Sequence, residues 1–117
     1  MTRPWPVELR LSKDKATLTV AFDTGESFAL AAEYLRVESP SAEVQGHAAS
    51  QKNIVAGKRR VKIEALEEVG NYAVRIRFDD GHDTGLFSWD YLHELGAMRA
   101  TNWNTYLAAL KTRKLER

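Results

Sequence analysis

Two stretches of alternating residues, each followed by an acidic turn with glycine, constrain the fold of this chain most strongly. Residues 17–22 read Thr-Leu-Thr-Val-Ala-Phe and run into Asp23-Thr24-Gly25, and residues 72–78 read Tyr-Ala-Val-Arg-Ile-Arg-Phe and run into Asp79-Asp80-Gly81. Alternation with a period of two is typical of a half-buried strand, and an Asp-Gly turn reverses the chain with glycine at positive φ. The sequence therefore predicts two β-hairpins.

Further elements are predicted around the two hairpins. From alternation, capping and helical spacing we expect strands at 7–11, 27–30, 61–66 and 84–87, and helices at 31–37, 89–96 and about 101–114. The last helix should be capped by Thr101 or Asn102 and should carry Trp103, Tyr106, Leu107 and Leu110 on one face. The predicted fold class is α+β: a small, mainly antiparallel β-sheet domain with two β-hairpins and short helices.

The two hairpin units resemble each other. Phe22 precedes the first turn and Tyr34 lies in the helix that follows, while Phe78 and Tyr91 have the matching places in the second unit. Both units therefore have the order strand, turn, strand, helix. A duplication and the independent use of common turn chemistry both explain this similarity.

Size and charge exclude several classes of protein. The chain has 117 residues, 44% of them hydrophobic, which predicts one domain over 1–117, and its net charge is +1. Such a balanced charge does not favour nucleic acid, and no apolar run is long enough to span a membrane. Cysteine is absent, which excludes disulfides and cysteine-held zinc or iron–sulfur clusters. The first residues lack the apolar core of a signal peptide, so we expect a cytoplasmic protein.

Residues 38–58 show little periodicity and are rich in Ser, Ala, Gly and Gln. We interpret them as a long surface loop. Loops longer than about 12 to 15 residues are uncommon in compact domains and are often functional.

His82 and Asp83 directly follow the second hairpin turn, beside Asp79 and Asp80. Imidazole and carboxylate groups act both as metal ligands and as proton relays. The simpler interpretation is a solvated hairpin tip that carries one polar histidine.

A second histidine, His47, lies in the long loop with Ser39, Ser41 and Ser50 nearby. A serine nucleophile also needs an orienting carboxylate and an oxyanion hole, and the chain has no Gly-x-Ser-x-Gly elbow. The sequence therefore favours a chance grouping over a hydrolase.

Basic and aromatic residues suggest two further surfaces. Lys58-Arg59-Arg60 could contact phosphate, although one short basic run is typical of a solvated entry to a strand. Trp89 at a helix start indicates a core residue. An exposed Trp5 or Trp103 would instead mark a partner surface, because tryptophan is enriched in interface hot spots.

Four stretches of the chain follow a known pattern in order. They are 34–47 with Tyr34-Leu35-Arg36, 70–74 with Gly70-Asn71-Tyr72, 78–85 with Asp80-Gly81-His82, and 88–92 with Ser88-Trp89-Asp90. Over roughly residues 4–96 the chain resembles the gamma-butyrobetaine hydroxylase-like N-terminal domains, which include standalone bacterial proteins of unknown function.

The resemblance carries an expectation about metal. In the hydroxylases this domain precedes an iron-containing, 2-oxoglutarate-dependent catalytic domain, and it looks like a zinc module with three cysteines and one histidine. On this chain the cysteine positions fall at Ser39, Ser41 and about Val44, and the histidine falls at His82. Serine and valine do not replace thiolates around zinc. We therefore expect no zinc and no other cofactor, with His82 as the one retained position.

Together, sequence and resemblance predict a non-catalytic binding or accessory module with an unidentified protein partner, as a monomer or homodimer. A related domain in plastid iron–sulfur carrier proteins implies a link to metal or iron–sulfur protein maturation. The predicted surface joins loop 39–58 to hairpin tip 79–84. Its candidate binding residues are Ser39, Ser41, Gln45, His47, Asp79, Asp80, His82 and Asp83.

Two alternatives belong to other classes of protein. One is a metal-binding protein or small enzyme that uses His47 and His82. The other is nucleic-acid binding through residues 58–62 and the last helix.

Overall fold

The computed structural model describes residues 3–46 and 52–117. Its elements in chain order are β1 (Pro6–Leu11), β2 (Thr17–Phe22), β3 (Ser27–Ala31), α1 (Ala32–Val37), α2 (Ala42–Gln45), β4 (Ile63–Val69), β5 (Ala73–Phe78), β6 (Leu86–Ser88), α3 (Trp89–Ala97) and α4 (Arg99–Thr112). The predicted α+β class with two antiparallel hairpins is confirmed. The second return strand begins two residues later than expected.

The strands form two antiparallel sheets of three strands, ordered β1-β2-β3 and β4-β5-β6. Leu18 faces Leu30 in the first sheet, and Val74 faces Phe87 in the second. In each sheet the last strand leads directly into a helix, α1 after β3 and α3 after β6. The two halves of the fold therefore share one topology, as the similarity of their sequences indicates.

The core is one cluster to which both sheets and helices α1 and α3 contribute. Alternation along each central strand places every second side chain in this cluster. Its fully buried members include Leu18, Val20, Leu30, Leu35, Ile63, Val74, Ile76, Phe78, Phe87 and Leu92. A smaller cluster of Val37, Tyr106 and Leu110 fixes α4 against α1.

Two glycines make the tight hairpin turns possible. Gly25 has φ +91° and Gly81 has φ +92°, a backbone region that L-residues rarely adopt. The second turn directly precedes His82, so the backbone of this turn determines where the imidazole lies.

The expected long surface loop is wrong in its first part. Residues 42–45 form the short helix α2, and Ser39, Ser41 and Val44 are buried. The reason is packing at long range: this segment covers the second hairpin tip, which lies about forty residues further along the chain.

The expected cap of the last helix is also wrong. Helix α4 begins at Arg99 because Met98 serves as the C-cap of α3 and the N-cap of α4. Asn102 therefore lies inside the helix, and its side-chain amide donates to the Tyr34 hydroxyl at 3.1 Å. Leu107 is exposed rather than part of the apolar face.

No helix in residues 3–46 and 52–117 has the length and apolar character needed to cross a bilayer.

Candidate functional site

His82 is buried at the tip of the second hairpin. The residue is 5% exposed, its amide donates to Asp80 Oδ1 at 3.1 Å, and its carbonyl accepts from the Phe78 amide at 2.9 Å. The expected solvated hairpin tip is therefore wrong at this position, because residues 39–43 cover the imidazole.

Both ring nitrogens of His82 have partners in the covering segment. Nε2 lies 2.9 Å from Ser39 Oγ and 3.3 Å from Ser41 Oγ, and Nδ1 lies 3.1 Å from Glu43 Oε2. Both nitrogens are satisfied when Nδ1 carries the proton, which it donates to Glu43 while Nε2 accepts from the Ser39 hydroxyl. We refer to Ser39, Ser41 and His82 as the His82 cluster.

The burial of His82 changes its acid–base chemistry. Burial is the main cause that lowers its pKa below 6.5, and the neighbouring charge of Arg36 lowers the pKa further. Glu43 acts in the opposite direction, because its carboxylate favours the imidazolium form.

The backbone of the covering segment is held by two side chains. Gln45 Nε2 donates to the carbonyl of Ser39 at 2.9 Å, and the Tyr91 hydroxyl donates to the carbonyl of Glu38. Gln45, which the sequence marks as a candidate binding residue, therefore has a structural contact in this position.

Gly85 leaves the space that the serine needs. A Cβ added at Gly85 would lie 2.4 Å from Ser39 Oγ, a distance that side-chain atoms do not tolerate. Gly85, which directly precedes β6, is therefore a condition for the contact between Ser39 and His82.

Asp80 lies beside the cluster and is neutralised by two cations. Its Oδ2 lies 2.8 Å from Arg36 Nε and 2.6 Å from Lys58 Nζ, and its side chain is 17% exposed. Burial by itself would raise the pKa of Asp80. Hydrogen bonds from Lys58, the His82 amide and Arg36 outweigh burial and lower this pKa to about 2. Lys58, the first residue of the basic run, therefore has an acidic partner within the protein.

The remaining carboxylates of the site are exposed. The Glu43 side chain is 65% exposed, and Asp79 and Asp83 are exposed as well. Asp79 accepts from the Lys62 amide at 3.0 Å, and Thr84 Oγ1 donates to Glu43 Oε1 at 3.3 Å. We refer to Glu43, Asp79 and Asp83 as the acidic rim.

The structure thus brings together seven of the eight candidate residues. Three form the buried His82 cluster, two belong to the exposed acidic rim, and the other two, Gln45 and Asp80, bond beside the cluster. The eighth, His47, lies outside the described residues. Sequence reasoning missed Glu43 and Arg36, and it marked Lys58 only as a residue that could contact phosphate. No local signal marks the roles of these three, since each acquires its role from a partner distant in the chain.

The donor set does not fit a zinc ion. Within the described ranges, no group of three or more His, Cys, Asp and Glu side chains could hold a metal. Neutral hydroxyls face Nε2 of His82, and Val44, the residue after Glu43, is apolar and buried. Zinc sites in proteins are built from thiolate, imidazole and carboxylate ligands, and the two hydroxyls at this imidazole supply none of these.

The order Ser39, His82, Glu43 is that of a nucleophile, base and orienting acid. Ser39, however, has no exposed surface at all. A substrate carbonyl cannot reach its hydroxyl in this conformation. The three side chains are therefore bonded in the order of a catalytic triad, but the serine is not accessible to a substrate.

A second feature of the surface is aromatic. Trp5 is 47% exposed and meets the buried Trp89 ring edge to face, with 6.4 Å between the ring centroids. Both rings line a groove of about 350 Å³ with Val7 and Asn71. Trp103 is half-buried, and the guanidinium of Arg117 covers its ring.

The comparisons with known proteins agree with this fold. The family described as "Gamma-butyrobetaine hydroxylase-like, N-terminal" matches residues 9–93. Two NMR solution structures are similar to this chain: one has 43% identity, a TM-score of 0.86, and coverage of 99% of this chain and 91% of its own. The other has 45% identity, a TM-score of 0.84, and coverage of 100% and 90%.

A crystal structure from Acidithiobacillus ferrooxidans ATCC 23270 is also similar, with 38% identity and a TM-score of 0.66. The match covers 79% of this chain and 92% of that one. That protein is described as one of unknown function in the DUF971 family. No curated protein matches the sequence significantly.

Proposed function

Because this chain belongs to the family of gamma-butyrobetaine hydroxylase-like N-terminal domains, we propose that it is a non-catalytic module that binds a protein partner. The docking surface that we assign is the acidic rim, supported from below by the His82 cluster. The family includes standalone domains of unknown function, so the partner has to be inferred from the chemistry of the surface.

One observation carries the proposal: the site has a buried polar layer, the His82 cluster, and an exposed acidic layer, the acidic rim. Ser39, Ser41 and His82 are each at most 6% exposed and bond to one another, whereas the Glu43 side chain is 65% exposed. Buried polar groups contribute little net stability compared with apolar packing, but they fix geometry when every member is satisfied. The inner layer thus has the properties of a rigid support for the outer one.

The chemistry of the rim defines the partner that would fit it. Glu43 and Asp83 present exposed carboxylates, and the contact of Glu43 with His82 leaves most of the Glu43 side chain in solvent. A partner with Lys, Arg or backbone amide donors at this surface would be recognised, and its association would weaken as salt increases. The resemblance extends the proposal to partners in metal or iron–sulfur protein maturation, acting in the cytoplasm, with this chain as a monomer or homodimer.

The test is to capture partner proteins with variants that change the charge of the acidic rim and leave the His82 cluster intact. The double variant Glu43→Gln/Asp83→Asn removes two charges, while the new amide at position 43 can still accept from His82. The matched control is Glu64→Gln/Glu68→Gln, which removes two exposed charges from β4. The wild type and the control should retain the same protein from the lysate of the source organism, as measured by quantitative mass spectrometry, and the rim variant should lose it. Equal retention by all three proteins would contradict the assignment of the rim.

A second candidate function rests on the contacts of Ser39 with His82 and of His82 with Glu43. A hydrolase with these groups would react with a fluorophosphonate, which forms a bond with Ser39 Oγ as fluoride leaves. Our proposal expects no labelling of the wild type. Labelling that is lost in Ser39→Ala and retained in Ser12→Ala would favour the hydrolase instead.

A further inference from the structure

A cleft on the surface lies away from the His82 cluster. It has a volume of about 630 Å³, and its wall is formed by β3, the start of α1, α4 and the segment after α4. Its lining residues include Ala31, Glu33, Tyr34, Arg99, Trp103 and Arg117. None of these belongs to the acidic rim, so an inference about the cleft is independent of the proposed function.

The cleft contains a buried acid. The Glu33 side chain is 7% exposed, although carboxylates are rarely buried unless they are paired. Arg117 supplies the partner through a two-point contact: Nε donates to Oε2 at 3.1 Å, and Nη2 donates to Oε1 at 2.7 Å. This parallel geometry is specific to guanidinium, since an ammonium group is a single point charge.

The same guanidinium covers an aromatic ring. Arg117 Cζ lies 5.3 Å from the centroid of the Trp103 ring, which places the cation on the face of the indole. Trp103 is itself fixed by Tyr34 and Tyr106, whose ring centroids lie 6.2 Å and 5.2 Å from its own. A carboxylate and an aromatic face therefore enclose one guanidinium from two sides.

Several observations indicate that Arg117 can be exchanged for another guanidinium. Its side chain is 38% exposed, so it lies at the mouth of the cleft rather than inside. It belongs to residues 115–117, which have no regular backbone structure. The cleft also extends beyond Arg117 to Ala31 and Arg99, which leaves room for the chain that would carry a second guanidinium.

We propose that the Glu33–Trp103 cleft is a binding site for an arginine side chain of a partner protein, with Arg117 as its occupant when no partner is bound. Arginine is the side chain that satisfies both walls, because it pairs with the carboxylate in two places and stacks on the indole. Arg117 then competes with the partner and sets the affinity of the site.

The test uses N-acetyl-arginine methylamide as the probe and the whole chain as the protein. Binding is followed by NMR, through the indole NH of Trp103 and the backbone amide of Glu33. The wild type should bind weakly, and Arg117→Ala should bind on the order of tenfold more tightly, because an intramolecular competitor at millimolar effective concentration has been removed. Arg113→Ala, which removes an exposed arginine outside the cleft, should bind like the wild type.

Two further comparisons distinguish specific recognition of the guanidinium from nonspecific binding of a solute in the cleft. The citrulline analogue of the probe has the same shape without the charge and should not bind, and the lysine analogue should bind less tightly than arginine. Glu33→Gln combined with Arg117→Ala should abolish binding of the arginine probe. If Arg117→Ala does not fold, Arg117→Lys provides the test. This variant retains a cation but cannot make the two-point contact with Glu33, so it should bind the arginine probe with an affinity between those of the wild type and Arg117→Ala.

The proposal is overturned by either of two results. One is an Arg117 variant, folded by its NMR spectrum, that binds the probe no more tightly than the wild type. The other is equal binding of the arginine and citrulline probes, which would show that Glu33 does not select a cation.

Discussion

The hydroxyl of Tyr34 on α1 donates to the carbonyl of Leu95 at 2.7 Å, and the hydroxyl of Tyr91 on α3 donates to the carbonyl of Glu38 at 2.5 Å. Each tyrosine is the third residue of its helix, and each accepting carbonyl lies four residues after the other tyrosine. The two helices are therefore joined by a reciprocal pair of bonds. The two similar halves of the fold therefore contact each other through equivalent residues.

A second pair of contacts repeats this relationship. Arg36 of α1 binds Asp80 in the second hairpin turn, at 2.8 Å, and His93 of α3 binds Glu26 at the first hairpin turn, at 2.7 Å. In each case the helical residue lies two positions after the tyrosine. The helix of each half thus binds the hairpin turn of the other half. The turn that Arg36 binds is the one that directly precedes His82.

Replacing Tyr34 or Tyr91 by phenylalanine should destabilise the fold without changing its shape. Tyr91→Phe removes the hydrogen bond to the Glu38 carbonyl, and Tyr34→Phe removes both the bond to the Leu95 carbonyl and the bond accepted from Asn102. The loss should lower the free energy of unfolding by about 1 kcal/mol for Tyr91→Phe and by about 1 to 2 kcal/mol for Tyr34→Phe. Urea denaturation measures the effect. Tyr72→Phe is the matched control, because Tyr72 is 54% exposed and should change stability by less than about 0.5 kcal/mol. Equal effects at all three positions would contradict the reciprocal bonding.

The stability of the fold should decrease as the pH falls from neutrality towards 5. The pKa of His82 is lowered below 6.5 in the folded protein, chiefly by burial, whereas in the unfolded chain it returns to about 6.5. Between these two pKa values the unfolded state binds more protons, so the contribution of neutral His82 is complete above 6.5 and is lost as the pH falls. Unfolding free energies from pH 5 to 8 should show a smaller dependence for His82→Gln than for the wild type. Identical pH profiles would show that His82 is not buried in the neutral form.

Asp80→Asn should cost about 2 kcal/mol at neutral pH, since hydrogen bonds between charged groups are lost and Arg36 keeps a buried cation without its acid. Within the described residues, Nη1 of Arg36 is already buried without a partner. The pKa of Asp80 is lowered from 3.8 to about 2, so its contribution is present above 3.8 and is lost as the pH falls through 2. Asp83→Asn, at an exposed position, is the control for denaturation by acid and urea. A cost for Asp80→Asn no greater than for Asp83→Asn would contradict the structure.

Gly96→Ala should destabilise the protein although alanine favours a helix. A Cβ at position 96 of α3 would lie 2.3 Å from the ring of Phe28, and overpacking of this kind costs about 1 to 3 kcal/mol. Helix propensity by itself would stabilise the variant by about 1 kcal/mol. Thermal denaturation therefore distinguishes overpacking from helix propensity, because the first lowers the unfolding temperature and the second raises it. Ala108→Gly, on the exposed side of α4, measures the effect of helix propensity alone. A more stable Gly96→Ala would show that Phe28 does not pack there.

The elements that were predictable from the sequence are those set by local patterns. Alternation gives β2 within its observed bounds, and Ser88 caps α3 as expected, with its hydroxyl accepting from the Tyr91 amide at 3.1 Å. The family was predictable from the order of its motifs, and the match over residues 9–93 confirms it.

The interiors of the candidate site and of the Glu33–Trp103 cleft were not predictable, because their contacts join distant parts of the chain. Ser39 and His82 are 43 positions apart, and Glu33 and Arg117 are 84 apart. Polar residues in an aperiodic segment favour a surface loop when only the local sequence is considered. Their burial depends on a hydrogen-bond partner that no local pattern specifies.

The division between a stabilising inner layer and a binding outer layer is tested most directly by measuring both properties on two variants. Ser39→Ala should lower the free energy of unfolding by about 1 to 3 kcal/mol and still retain the partner at a temperature where it is folded. Glu43→Gln/Asp83→Asn should change stability by less than about 0.5 kcal/mol and lose the partner. If folded Ser39→Ala loses the partner while the rim variant keeps it, the function resides in the His82 cluster itself and the acidic rim is not the docking surface.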